Sequence, residues 1–590
     1  MSSHSNKPHV TPPAEAAAGL AAVKEVLKQS VTKPGLARAV VALTNTNQPD
    51  GFDCPGCAWP DSASKKHVDF CENGAKAIAD EATRKRADAT FFKHSPISAL
   101  ASRTGEWLND QGRITEPLVK RNDSDRYEAI SWDDAFELIG QELNALDNPD
   151  QAAFYTSGRT SNEGAFLYQL FVRQFGTNNF PDCSNLCHES SGRGMTESIG
   201  TGKGTVHLED FVLADAIFIL GQNPGSNHPR MLATLQEAKR AGATIVTVNP
   251  LDEAGLKRFK NPQEVSGLLG KGTKLSDLHV PVRVNGDVAF LKGLCKAMLE
   301  AELAVPGSAL DTEFIETYTE GFAEFAADIE QTPWASIEKA SGVSRGLIAE
   351  AAAIAISAEN TICCWAMGLT QHKNAVANIQ EVLNFLMLRG NLGKPGAGAC
   401  PVRGHSNVQG DRTMGIWERP DAGLLDALQT EFAFDPPREH GLDAIDTINA
   451  MHEGRVKVFV ALGGNFMAAT PDWPYTTQAL ENCRLTVQIS TKLNRSHTVT
   501  GEQALILPAL GRTEIDEQHG ELQFVTVENS MGVVSRSEGK LKPISEEMRS
   551  ELSIVAGMAE ATLADSGAVK WSDLGSRYDH VRDHISRVIP

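Results

Sequence analysis

The sequence predicts an α/β protein of more than one domain, on three observations. From Tyr155 onward, short apolar runs alternate with stretches of helical period, the pattern of a parallel sheet covered on both faces. Two segments repeat one unit: Ala216-Ile-Phe-Ile-Leu-Gly-Gln-Asn223 and Val458-Phe-Val-Ala-Leu-Gly-Gly-Asn465 each run a buried strand into a Gly-x-Asn turn. Third, 590 residues of which 41% are hydrophobic can bury several cores.

Each element follows from its residues. In the first unit a helix over Pro229 to Ala241 leads to a second strand, Ala243 to Asn249. In the second unit a short helix leads to Arg484 to Ser490. Such units place a ligand at the carboxyl ends of the strands, where glycine admits the backbone and helix N-termini favour phosphate. Two units imply two nucleotide-like ligands. Before them, residues up to about Asp50 are rich in Ala, Pro, Ser and Thr, with one helical run around Ala14 to Gln29, and are expected to form a loosely held extension.

The formal charge of -20 opposes nucleic acid and anionic membranes over most of the surface. An anionic substrate then needs a local funnel of Arg, Lys and His. No stretch approaches the roughly 20 apolar residues that span a bilayer. Met1 to Lys24 has neither an apolar signal core nor an arginine pair, so the expected location is the cytoplasm. Ten cysteines are too few for a disulfide scaffold, and the scattered five, Cys295, Cys363, Cys364, Cys400 and Cys483, read as small core residues.

The remaining cysteines sit in patterns with chemistry. Cys54-Pro-Gly-Cys57 is a C-x2-C pair in a turn-rich loop, with Cys71 fourteen residues after Cys57. Thiolates so spaced bind zinc or an iron–sulfur cluster. A fourth ligand is missing; Asp61 and His67 compete for it, and carboxylate oxygen suits cluster iron less well than thiolate. Further on, Cys183-Ser-Asn-Leu-Cys187-His188 sets a soft thiolate for a redox metal beside an imidazole that accepts a proton near neutral pH. The glycine-crowded run Asn391 to Gly410 must wrap a ligand. Within it Arg403 supplies a permanently charged fork that grips a small carboxylate; the plainer alternative is a structural ion pair.

Together with Gly221-Gln-Asn-Pro-Gly-Ser-Asn-His228 and Trp365-Ala-Met-Gly368-Leu-Thr-Gln371, these segments resemble the molybdopterin oxidoreductase superfamily, in its formate dehydrogenase alpha-subunit branch. The resemblance runs from Phe52 to about Ser537. It implies the fold of that superfamily, with two pseudo-symmetric dinucleotide-binding α/β domains. It also implies a molybdenum bis(molybdopterin guanine dinucleotide) cofactor and a 4Fe-4S cluster. Cys187 falls where those enzymes place the cysteine or selenocysteine that binds molybdenum, and His188 and Arg403 match their active-site histidine and arginine. Asn223, Ser226, His228, Asn249, Gly368, Gln371, Gly404 and His405 should touch the cofactor, and Cys54, Cys57 and Cys71 should hold the cluster. Electrons would leave for a redox partner subunit or a soluble carrier.

By the same resemblance the chain divides into an extension over 1–50, an iron–sulfur domain over 51–125, an α/β domain over 126–180 and 405–545, and a second over 181–404 with the metal site. Residues 546–590 are then a linker toward a C-terminal barrel domain that relatives carry and this chain lacks. Two residues depart from the pattern. Asn73 stands where relatives have a lysine after the last cluster cysteine, Lys76 being the nearest substitute, and His405 replaces a glutamine. Two other readings share these residues: a non-catalytic electron-transfer or assembly subunit of the same fold, and a molybdoenzyme for another small oxo compound.

Overall fold

A computed structural model describes residues 12–61, 68–563, 567 and 569–590. The chain divides into two compact units, residues 1–25 with 205–400 and residues 26–204 with 401–590.

The first unit is built on a five-stranded sheet in the order Leu278–Val280, Thr244–Val248, Ala216–Leu220, Thr361–Trp365, Gly398–Pro401. The first four strands are parallel. Ala216–Leu220 and Thr361–Trp365 are buried along their whole length, which is why they read as unbroken apolar runs rather than alternating ones. The helix Met231–Ala241 returns the chain to the strand Thr244–Val248, as its sequence foretold, and ends on Gly242 in the left-handed region at φ 116. The strand order reverses between Ala216–Leu220 and Thr361–Trp365. Such a reversal opens a crevice at the carboxyl ends of the strands.

The second unit holds a six-stranded sheet in the order Glu128–Ala129, Leu118–Lys120, Gln503–Pro508, Leu485–Ser490, Val458–Leu462, Ala152–Thr156. The four strands from Gln503–Pro508 to Ala152–Thr156 are parallel, and the short pair at the far edge runs antiparallel. Phe154, Phe171, Val460 and Val487 fill the core on one face.

Three expectations change here. Residues 546–590 are no linker: helices Glu551–Thr562, Trp571–Leu574 and Tyr578–Val588 bury Leu552, Val555, Trp571, Tyr578 and Val581 in this core, with Trp571 edge-on to Phe171 at 6.4 Å. Each such side chain contributes about 1.5–3 kcal/mol by leaving water, enough to hold the segment. The N-terminal extension forms two helices, Gly19–Thr32 and Leu36–Asn45, and Ala42 of the latter is buried with Phe52 and Cys54. Residues 181–204 group with the six-stranded sheet rather than with 205–400, because Asp182 bridges Thr156 and the Cys183 amide donates to the Thr156 carbonyl at 3.1 Å. Among the described residues no helix is long and apolar enough to cross a membrane.

Candidate active site

In the second unit the strand Ala152–Thr156 fixes the start of the Cys183 segment. A single 3-10 turn, Ser184–Leu186, then carries the chain to Cys187, whose amide donates to the Ser184 carbonyl at 3.0 Å. His188 caps the helix Glu189–Ile199, and its Nδ1 lies 2.9 Å from Ser191 Oγ. Cys183 and Cys187 pack together against Val408, each 8% exposed. Cys183 Sγ lies 3.0 Å from His405 Nδ1. The two thiols share a hydrogen bond in which Cys187 accepts. That bond, and then the Arg403 guanidinium and the Gly404 amide, hold the Cys187 thiol below its ordinary pKa against the opposing cost of burial. The same bond and burial push Cys183 up. Burial and then the charge of Arg159 push His405 down to about 4, so its ring is neutral.

Arg403 is buried. Its Nε donates to Gln409 Oε1 at 2.7 Å and its Nη2 to the Gly202 carbonyl at 2.8 Å. Gln409 donates in turn to Glu528 at 2.8 Å, and Lys203 neutralises Glu528 at 2.8 Å. The guanidinium is thus oriented by its own loop, which is what a fork that must meet a ligand at one angle requires.

Two of the three N-terminal cysteines, Cys54 and Cys71, meet at one glycine, and Cys57 lies within electrostatic reach of Cys54. A Cβ on Gly74 would stand 2.9 Å from Cys54 Sγ and 3.6 Å from Cys71 Sγ. Cys71 caps the helix Glu72–Glu81, its Sγ accepting from the Gly74 amide at 3.3 Å, and Cys54 Sγ accepts from the Gly56 amide at 3.4 Å. Burial and then the neighbouring Cys71 and Cys57 push the Cys54 thiol well up. A cation among the three sulfurs relieves both costs. Among the described residues no set of three or more His, Cys, Asp or Glu side chains is disposed around one metal ion. A cluster asks for a different arrangement, since each thiolate binds its own iron. Asp53, next in sequence, is the carboxylate that weighs on Cys54; Asp61 is half-buried, and His67 lies outside the described residues.

A cavity of about 710 Å³ in the second unit is lined by neighbours of both cysteine groups. Pro55, Asn73 and Lys76 line it beside the cysteines, and Arg159 and His405 line it beside Cys183. Its floor is the carboxyl end of the parallel strands, where Gly463 and Gly464 turn through φ 73 and 82 and Ser490 ends its strand. Two ties hold the cysteine loop to the Arg403 loop. The Ala58 amide donates to the Gly404 carbonyl at 3.2 Å, and Arg512 Nη1 donates to Asp53 at 2.6 Å and to Ser406 at 2.8 Å.

The other predicted residues lie in the first unit, at the carboxyl ends of three adjacent parallel strands. Asn223, Ser226 and His228 follow Ala216–Leu220; Asn249 follows Thr244–Val248; Gly368 and Gln371 follow Thr361–Trp365. Asn223 Oδ1 accepts from the Ser226 amide at 3.3 Å, His228 is buried, and Asn249 Nδ2 donates to the Leu251 carbonyl at 2.9 Å. The Gly368 amide donates to the Gly221 carbonyl at 3.0 Å, and a Cβ on Gly368 would meet Gly221 Cα at 2.4 Å. Neither backbone can give way cheaply, so Gly368→Ala is expected to cost about 1–3 kcal/mol of overpacking. A urea denaturation midpoint equal to wild type would show that the turn is not held this way.

Spacing gave no sign of Arg159, Ser490 or Arg512, because the partners that give them meaning are hundreds of residues away: Arg512 and Asp53 are 459 positions apart. Cys183 carried a visible signal, its four-residue spacing from Cys187, but no role.

Residues 113–560 match the family described as molybdopterin oxidoreductase. Protein YdeP of Escherichia coli is 46% identical over 580 residues, which cover 98% of this chain and 76% of YdeP. The alpha subunit of an F420-dependent formate dehydrogenase from Methanococcus maripaludis is 29% identical over 439 residues, 72% of this chain and 60% of that one. Acetylene hydratase from Pelobacter acetylenicus has a similar fold, with a TM-score of 0.58 at 16% identity over 78% of this chain and 62% of its own. The chain is an oxidoreductase with the multidomain α/β fold of these enzymes, and it belongs to the molybdopterin oxidoreductase family.

Proposed function

We propose that the chain is the catalytic body of a formate-dehydrogenase-like enzyme that removes two electrons from a small anion, formate in the first instance. The observation that carries this reading is one buried group, Cys187 with Cys183, His405 and Arg403, beside a cavity that also reaches the loop of Cys54, Cys57 and Cys71. When bound, molybdenum held by two molybdopterin guanine dinucleotides would supply the electron-accepting centre, with a 4Fe-4S cluster as the exit.

The residues present fit such a group. Ser490 is buried, lines the cavity, and its Oγ has no hydrogen-bond partner among the described residues, so a ligand's polar edge would satisfy it. The Gly221–Gly368 contact and the Gly463–Gly464 turn leave backbone where a side chain would intrude. Asn223, Ser226, His228, Asn249, Gly368 and Gln371 of the first unit, with Gly404 and His405 of the second, contact the dinucleotides in this reading.

Each side chain then has one task. Cys187 offers the metal a soft sulfur from a turn that its neighbours hold rigid. Ser191 Oγ, 2.9 Å from Nδ1, orients the His188 imidazole, which accepts the proton in this reading. Arg403 receives the anion. Cys54, Cys57 and Cys71 hold the cluster, with Asp61 the described candidate for the fourth position. The electrons leave for a redox partner subunit or a soluble carrier in the cytoplasm.

Anaerobically purified protein tests this directly, by molybdenum, tungsten, iron and sulfide analysis alongside formate-dependent reduction of a viologen dye. Metal without formate turnover would move the substrate to another oxo compound; protein with neither molybdenum nor tungsten would make it a scaffold. Arg403→Lys should keep the metals and lose roughly tenfold to a hundredfold in kcat/KM. One ammonium cannot hold Gln409, the Gly202 carbonyl and a carboxylate at once, and a hydrogen bond to a charged group is worth about 1.5–3 kcal/mol. Unchanged kcat/KM would reassign Arg403 to the loop's structure.

A further inference from the structure

Arg159 lies three residues past the strand that anchors the Cys183 segment. Its predecessor Gly158 packs so closely on the His405 loop that an added Cβ would stand 2.8 Å from His405 Cβ and from Val408 Cβ. This contact delivers Arg159 to the cavity wall between His405 and Pro55. Its carbonyl is fixed by Arg512 Nη2 at 2.7 Å, while its side chain is open to the cavity and, among the described residues, makes no hydrogen bond or ion pair. The guanidinium is exposed and lies within electrostatic reach of Glu81, Cys54 and Cys183.

Two other cations of the cavity are paired. Arg512 is neutralised by Asp53 at 2.6 Å, and Lys492 faces Asp80 at 3.5 Å. Lys76 is exposed, as Arg159 is. Arg159 is a cavity cation within electrostatic reach of both sulfur groups that forms no ion pair among the described residues, and a guanidinium does not surrender its proton in a protein.

We propose that Arg159 is a positioning charge shared by the two sulfur groups, which raises the reduction potential of a cluster held by Cys54, Cys57 and Cys71 and so favours electron arrival there. The inference rests on the cluster assignment of the proposed function. An electron added to a cluster adds negative charge, and a nearby cation that forms no ion pair favours that state. Because the Arg159 side chain makes no hydrogen bond or ion pair among the described residues, replacing it should not disturb the loops that carry the cysteines.

The test is a potentiometric titration of the full chain, followed by the electron paramagnetic resonance signal of the reduced cluster, in wild type, Arg159→Gln, Arg159→Met and Arg159→Lys. Both neutral variants should keep wild-type iron and sulfide and show a more negative midpoint; Arg159→Lys should return it toward wild type. An unchanged or more positive midpoint in a neutral variant with full iron overturns the proposal. So does loss of iron in both neutral variants, which would make Arg159 a structural residue of the cysteine loop. Wild-type protein without iron and sulfide sinks the cluster assignment itself, and this charge role with it.

Discussion

Cys187→Ser should leave a folded protein that retains most of its pterin and part of its molybdenum yet has lost turnover by several orders of magnitude. A hydroxyl is a harder and much less acidic ligand than a thiol, so it binds molybdenum poorly and changes the metal's electronic state. The surroundings deepen the loss. The hydrogen bond from Cys183, the Arg403 charge and the Gly404 amide together favour a thiolate at this atom, and serine's pKa lies too high for them to do the same. Cys187 also packs against Cys183 and Val408. If packing were its whole role, serine would cost about 1–3 kcal/mol for a buried hydroxyl and leave the surviving protein with normal turnover. Electron paramagnetic resonance of the molybdenum centre separates the two roles: a wild-type spectrum with retained activity would remove Cys187 from the metal.

The strands were legible because both sheets are covered on two faces, so Ala216–Leu220 and Val458–Leu462 had to be continuous apolar runs. Their turns were legible too, since a Gly-x-Asn after such a run has few other uses. The C-terminal helices were misread as a linker for a physical reason. Tyr578–Val588 carries His, Arg and Asp on one face and buries Tyr578, Val581 and Val588 on the other, and nothing local says what that face meets. The same limit hid the charges of the cavity. Arg159 and Arg512 look like surface arginines until the fold sets one beside Cys54 and Cys183 and ties the other to Asp53 and Ser406. Cys187, His188 and Arg403 were visible because their residue types carry chemistry at any position. The contact between Cys183 Sγ and His405 Nδ1, 222 residues apart, was not.

Cys54→Ser should abolish the iron–sulfur absorbance, with iron and sulfide falling together, while molybdenum remains. The two sets of ligands sit on separate loops, joined by backbone and arginine ties that do not use the Cys54 sulfur. The fold should survive. The Cys54 amide still donates to Asn47 Oδ1 at 2.8 Å, and Phe52, Ile78 and Leu541 still close the small core around it. Cys71→Ser makes a sharper comparison, because Cys71 is also the N-cap of Glu72–Glu81, and serine is a preferred cap whose oxygen can take the Gly74 amide. Helix stability should therefore hold or rise in Cys71→Ser while the cluster is weakened, an opposition that a purely structural cysteine cannot produce. Thermal melts measured beside iron and sulfide content read the two effects independently. A Cys54→Ser protein with full iron and sulfide would take the cluster away from this loop, and zinc in place of iron in wild type would make the three thiols a structural metal site instead.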